Sequence, residues 1–168
     1  MKEQVCCFTG HRIMKMPKGE VKRRLSEIID LLVSKGVIYF GSGGALGFDT
    51  IAAEAVIEAR RKNPKVKLIL VLPCKNQDAK WRPDEQATYS YLKAQADKVV
   101  CLSEVYTSTC MHERNRHLVD NSSVCVSFLE RTSGGTAYTF NYAREKGLKI
   151  FNLADRNYLE PIQFETYP

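Results

Sequence analysis

Apolar residues recur along this chain in two alternating rhythms. Over 17–35 they fall at Val21, Leu25, Ile28, Ile29, Leu32 and Val33. That three-and-four spacing predicts a helix with one buried face. Pro17 suits its start and Gly36 its stop. Similar patterns predict helices over 48–62, with Ile51, Ala52, Ala55, Val56 and Ala59 on one face, and over 84–96, 111–121 and 137–146, the last stopped by Gly147. Between them lie short apolar runs at 4–9, 37–40, 66–72, 98–102, 123–129 and 148–153. Runs with so little polar interruption read as strands covered on both faces. Strands that alternate with helices imply a parallel sheet with right-handed crossovers. The expectation is one α/β domain, doubly wound, spanning 1–168 with its core at about 4–153. The pattern does not place the tail, 154–168.

Composition adds limits. A chain of 168 residues with 44% hydrophobic and 26% charged positions reads as one globular domain with a full core. The net charge is +6. Much of the excess lies in two clusters, Arg12, Lys15, Lys18, Lys22, Arg23 and Arg24, and Arg60, Arg61, Lys62, Lys65 and Lys67. Solvated helix faces are the simpler reading of these clusters, and attraction of an anionic ligand or nucleic acid the sharper one. No apolar stretch approaches the length of a membrane span, and the N-terminal residues lack a signal-peptide core. The six cysteines show no C-x-x-C spacing, and four of them lie within apolar runs. The expectation is a reduced, cytoplasmic protein without a membrane partner.

In a parallel sheet every strand-to-helix loop opens on the same edge, where ligands of open α/β sheets bind. Gly10-His11-Arg12, the 41–47 loop, Pro73-Cys74, the 103–110 stretch and the 133–136 loop therefore share one rim. Two of these are glycine-rich: Gly41-Ser42-Gly43-Gly44-Ala45-Leu46-Gly47 and Ser133-Gly134-Gly135-Thr136. Glycine lets backbone approach a ligand, and a helix N-terminus behind it offers free N–H groups and partial positive charge. The first loop is not a dinucleotide fingerprint, and the absence of G-K-[ST] excludes a P-loop. Asp49 is placed either to cap its helix or to accept a ribose hydroxyl.

Met111-His112-Glu113-Arg114-Asn115 packs an acid, a base and a guanidinium into one helical turn. Arg114 could fork onto a phosphate and Glu113 could serve as acid or base, although an exposed helix with ordinary charge pairs is the simpler reading. His11, His112, His117 and the cysteines match no zinc spacing, so no metal is expected. There is no G-x-S-x-G nucleophile elbow. Trp81, Tyr89 and Tyr91, near the third crossover, could stack a base, but packing is their commoner use.

Thr9-Gly10-His11-Arg12, Gly43-Gly44-Ala45-Leu46-Gly47-Phe48-Asp49, the 111–115 segment with Val119-Asp120, and Ser133-Gly134-Gly135-Thr136-Ala137 occur in that order. The set resembles the SLOG superfamily, the Rossmann-like group that includes DprA (Smf) and the LOG enzymes, and is most similar to its small stand-alone YpsA-like members. The resemblance implies a Rossmann-like, mainly parallel sheet with helices on both faces. It carries three functional implications.

LOG enzymes are phosphoribohydrolases acting on nucleoside monophosphates. Their M-H-E-R-K motif is nearly kept, with Asn115 in place of lysine. Their P-G-G-x-G-T-x-x-E motif is not: Ser133 replaces the proline, Ala137 and Tyr138 stand where glycine and threonine belong, and the glutamate position falls on Asn141, or on Thr139 with a shorter loop. Glu113 is then the candidate catalytic residue. DprA shares the glycines and aspartate matched by Gly43, Gly44, Gly47 and Asp49, and binds single-stranded DNA. Other SLOG domains sense nucleotide-derived molecules. This chain keeps what holds a phosphate-ribose group and lacks what cleaves it. The expectation is therefore binding of a nucleotide-derived small molecule without established catalysis, and no cofactor. Gly10, His11, Arg12, Gly43, Gly44, Gly47, Asp49, Arg114, Gly134, Gly135 and Thr136 form the expected site. Nucleic acid is the less favoured partner, and the resemblance also implies a homodimer.

Overall fold

The computed structural model describes residues 1–165. A 3-10 turn at Lys2–Gln4 leads into β1 (Val5–Gly10), α1 (Lys18–Ser34), β2 (Tyr39–Ser42), α2 (Phe48–Lys62), β3 (Lys67–Leu72), α3 (Pro83–Gln95), β4 (Lys98–Cys101), α4 (Cys110–Asp120), β5 (Val124–Phe128), α5 (Gly135–Glu145) and β6 (Lys149–Asn152). The strands form one sheet in the order β4-β3-β2-β1-β5-β6, parallel throughout. The chain steps outward from β1 to β4. The connection through α4 then carries it back to the other side of β1. The order therefore reverses between β1 and β5, which opens a crevice at their carboxyl ends.

The periodicity explains the layers. Leu25, Ile28, Ile29 and Leu32 of α1 and Ile51, Ala52 and Val56 of α2 are buried in one cluster with Phe8, Phe40, Phe48 and Phe128, joined by Tyr89 and Leu92 of α3. Leu118 and Val119 of α4 and Ala143 of α5 pack on the other face with Cys7, Val71, Cys125 and Ile150. The sheet is thus wound on both faces, and β5 is buried at all five positions.

Three expectations need correction. Gly41 and Ser42 belong to β2, not to the loop, and pair with Ile69 and Leu70 of β3. Leu118 of α4 sits where a side chain on Gly41 would be. The second diglycine is likewise partly helical, since α5 opens at Gly135. Finally, β4 is not covered on both faces: it lies at the sheet edge, with Val99 43% exposed.

Residues 154–165 bind back onto the domain. Tyr158 stacks under the Arg24 guanidinium and donates to Glu27 Oε2 at 2.6 Å. The Ile162 N–H donates to the outward-facing carbonyl of Ile150 at 2.8 Å, which covers part of the β6 edge. Phe164 then packs edge-on against Phe140. The end of the unassigned tail, 166–168, lies outside the described residues.

Candidate functional site

The loop after β2 is braced from inside. Ser42 Oγ donates to the Asp49 carbonyl at 3.0 Å and accepts the Gly44 N–H at 3.2 Å. Thr50 Oγ1 donates to the Ala45 carbonyl at 2.8 Å. The glycines here and in β1 serve close packing. A Cβ on Gly10 would collide with the Phe48 ring, one on Gly43 with the Arg114 guanidinium, and one on Gly47, whose φ is +84°, with the backbone of Arg12. These contacts lay the end of β1 across the start of α2. Gly43, Gly44 and Gly47 do not line the crevice at β1 and β5; Ala45 and Leu46 represent their loop there.

The loop after β5 is built differently. A Cβ on Gly134 or Gly135 would meet nothing within 4 Å. Gly134 has φ +94°. No side chain caps α5, and the Tyr138 N–H to the Gly134 carbonyl, at 3.0 Å, closes its first turn. The amides of Gly135, Thr136 and Ala137 precede that bond and carry the positive end of the helix. Bare glycine backbone at an uncapped N-terminus suits an anion.

The crevice holds a cleft of about 600 Å3. Gly10, His11, Arg12, Asp49, Arg114, Gly134, Gly135 and Thr136 all line it, which brings eight of the expected residues together. Arg12 and Arg131 are exposed. Arg114 is 2% exposed, with Nη1 donating to the Gly43 carbonyl at 2.6 Å and Nε to Asn115 Oδ1 at 2.8 Å. Much of its fork is therefore spent inside the protein, and it acts on the cleft as a buried charge. Asp49 shares that field. Burial pushes its carboxyl up to about 6, against the opposing pull of Arg114 and of the Ala45 N–H, which reaches Oδ2 at 3.4 Å.

His11 is 5% exposed, and its Nε2 accepts the Glu130 N–H at 2.9 Å. The ring is thus a neutral strut between the β1 and β5 loops, with its proton on Nδ1. Burial, and then the Arg131 charge, hold its pKa down. Glu113 is exposed and accepts the Thr109 hydroxyl at 3.0 Å, and it does not line the cleft. Among the described residues no group of three or more histidines, cysteines or carboxylates is arranged to hold a metal ion.

Residues outside the expected set also line the cleft: Gln77, Tyr106, Arg131 and Trp81. Tyr106 falls in the 103–110 stretch expected at the rim, whereas Arg131 lies just before the expected 133–136 loop, and nothing in their spacing marks either. Gln77 carried no sequence signal at all. Its Nε2 reaches the Gly43 carbonyl at 3.3 Å and Tyr89 Oη at 3.0 Å, and its Oε1 is buried without a hydrogen-bond partner among the described residues. Part of each basic cluster is tied up in ion pairs. Arg24 pairs with Glu20, Arg60 and Lys67 with Asp97, and Arg61 with Glu58. The second cluster lies at the end of α2 and the start of β3, the sheet edge opposite the cleft. A separate groove of about 430 Å3 along α1 and α2 mixes Lys22 and Lys62 with Asp30, Glu54 and Glu58, so its charges largely cancel. No helix among the described residues is long and apolar enough to cross a membrane.

The fold is similar to that of DNA processing protein A (DprA) from Streptococcus pneumoniae, with TM-score 0.64 and 20% identity over 90% of this chain and 50% of that one. DprA from Helicobacter pylori, described for its single-stranded DNA binding mode, matches with TM-score 0.65 and 20% identity over 90% and 65%. This chain therefore spans half of the first protein and 65% of the second. In sequence it is 29% identical over 139 residues to the uncharacterized SPbeta prophage-derived protein YoqJ of Bacillus subtilis (strain 168), covering 75% of this chain and 81% of that protein. The model of the YpsA family, described as the YspA SLOG family, matches residues 6–166, and the chain belongs to that family.

Proposed function

We propose that the protein binds a nucleotide or nucleotide-derived molecule, phosphate end first, in the crevice between β1 and β5. One observation carries this reading: Gly134 and Gly135 present open backbone at the uncapped start of α5, across a cleft that Arg12 and Arg131 also line. The glycines of the other loop are explained by internal packing, and these two are not. Phosphate would take the amides of Gly135 and Thr136 and the Thr136 hydroxyl. The two exposed arginines would add charge-assisted bonds. Asp49 would meet a ribose hydroxyl. The reading is one of binding without turnover, because the cleft lacks Glu113. Free thiols at all six cysteines fit a reducing compartment.

Titration calorimetry with ribose 5-phosphate, AMP and ADP-ribose tests it, beside mass analysis of small molecules that co-purify with the protein. Saturable binding that Arg12→Ala and Arg131→Ala both weaken is expected. No heat with any of the three, and no co-purifying phosphate compound, ends the reading. Release of free base from AMP, abolished in Glu113→Gln, would replace it with hydrolysis.

The likeness to DprA favours a second reading, single-stranded DNA binding, which predicts steep salt dependence. It ranks lower because many basic residues are paired with carboxylates and one cluster lies at the far sheet edge. A gel shift at low salt decides it.

A further inference from the structure

The cleft does not end at the phosphate cradle. A second hollow of about 600 Å3 adjoins it, walled by Asn76, Ala79 and Lys80. Arg12, Gln77, Trp81 and Tyr106 line both hollows and so form the neck between them. We propose that this neck and second hollow are an aromatic subsite, in which the heterocyclic base of the ligand lies against Trp81 and Tyr106. The proposal rests on the phosphate-first reading above and adds where the other end of the molecule goes.

Trp81 has the properties of a stacking platform. Its ring packs against Tyr89 in a T-shaped arrangement, 5.0 Å between centroids and 72° between planes, and its backbone N–H donates to the Asp78 carbonyl at 3.0 Å. Tyr89 is in turn held by the Gln77 amide at 3.0 Å. The indole is therefore fixed before a ligand arrives, and stacking on it costs little ordering entropy. Tyr106, on the connection between β4 and α4, is 62% exposed, and packing within the domain does not account for that. A base covering it would remove a large ring from water. Gln77, which lines both hollows, also carries a buried Oε1 with no hydrogen-bond partner among the described residues. Arg12 stands at the neck, between the aromatic end and the α5 N-terminus. The cleft as a whole thus matches a molecule with an anion at one end and a flat heterocycle at the other.

Among the described residues, Lys80 and Arg12 are the only cations lining the second hollow. That suits one nucleotide unit, not the repeated phosphates of a nucleic-acid strand.

Trp81 is the chain's single tryptophan, so the test reads the proposed contact directly. Its emission, excited selectively, is followed while AMP, ADP-ribose or ribose 5-phosphate is added, and affinities are taken by calorimetry. AMP and ADP-ribose are expected to quench it, and ribose 5-phosphate to bind without quenching. Tyr106→Ala and Trp81→Leu are expected to weaken AMP roughly 10- to 100-fold, as loss of base stacking does, while ribose 5-phosphate binding stays within about twofold. Tyr106 is exposed, so its variant tests the subsite even if Trp81→Leu folds poorly. AMP bound no tighter than ribose 5-phosphate, without quenching and unchanged by Tyr106→Ala, overturns the aromatic subsite and leaves the phosphate reading standing. If neither compound binds, the phosphate reading itself has failed, and the subsite falls with it.

Discussion

Arg114 and Gly43 occupy one space: Nη1 donates to the Gly43 carbonyl at 2.6 Å, and the guanidinium fills the volume that a side chain on residue 43 would need. The pair ties α4 to the loop after β2 across 71 positions of sequence.

The glycine at 43 is therefore a packing requirement, and Gly43→Ala should be costly. The methyl must displace a buried arginine, an overpacking cost of about 1–3 kcal/mol. In an Arg114→Ala background the same change should cost under about 0.5 kcal/mol, because the obstruction is gone. Urea unfolding of the four proteins of the cycle gives the coupling directly. Equal costs in both backgrounds would mean that the two residues are independent.

That example also shows what the sequence could and could not reveal. Repetition of apolar positions marked the five α-helices and six strands found among the described residues, with Phe48–Lys62 reproduced to the residue, because burial on one face leaves a regular trace. The sheet edge was missed, since β4 carries the same valines as an interior strand. The rim was legible because parallel strands force their loops to one edge. Within it, glycine alone could not separate two uses. Gly43 and Gly47 make room for Arg114 and Arg12, whereas Gly134 and Gly135 make room for no neighbour among the described residues. That difference lies in partners distant in sequence. His11 is similar: its position at the rim was evident, but its bond to the Glu130 N–H belongs to a loop 119 residues away.

Gly135→Ala should separate stability from binding. Residue 135 starts α5 outside the positive-φ region, and a methyl there meets nothing within 4 Å. Replacing glycine in such a position removes unfolded-state freedom and should stabilise by about 0.4–1 kcal/mol. The same methyl occupies the space offered to the anion, so ribose 5-phosphate affinity should fall by about tenfold or more, a loss of at least ~1.4 kcal/mol. A thermal melt and a calorimetric titration on one preparation give both quantities. A variant that is more stable and binds as before would remove Gly135 from the site.

His11→Ala should make the fold weaker and alter its response to acid. The substitution leaves the Glu130 N–H without its acceptor, at a cost of about 1–3 kcal/mol. In the folded protein the imidazole pKa lies below its usual 6.5, because burial and Arg131 disfavour the charged form. The unfolded chain therefore takes up the proton first. The stabilisation from neutral His11 is complete above the unfolded value and declines as pH falls through the folded one. Urea melts across pH 5 to 8 should show the advantage of wild type over His11→Ala shrinking on the acid side of about 6.5. Asp49 titrates in both proteins and largely cancels in that difference.

Asp49 should act in the opposite sense. Its carboxyl is pushed from 3.8 to about 6, chiefly by burial, although Arg114 and the Ala45 N–H favour the charged form. The folded state thus holds this proton more tightly than the unfolded chain does. The resulting stabilisation is present below the unfolded pKa and disappears as pH rises through about 6. A shift of that size corresponds to about 3 kcal/mol between the acid and neutral limits. Asp49→Asn removes the titration, so the stability difference, variant minus wild type, should climb between pH 4 and pH 7 and then level off. Its absolute value also contains the loss of a counter-charge for Arg114, which does not titrate in this range, so the slope is the informative quantity. His11 titrates in both proteins and largely cancels in the difference. The same ionisation places a negative charge on the cleft wall. ADP-ribose, whose pyrophosphate charge is constant here, should therefore bind more tightly to wild type at pH 5 than at pH 7, and this preference should shrink in Asp49→Asn. A flat difference curve would mean that Asp49 is already ionised at pH 5 and that Arg114, not burial, governs it.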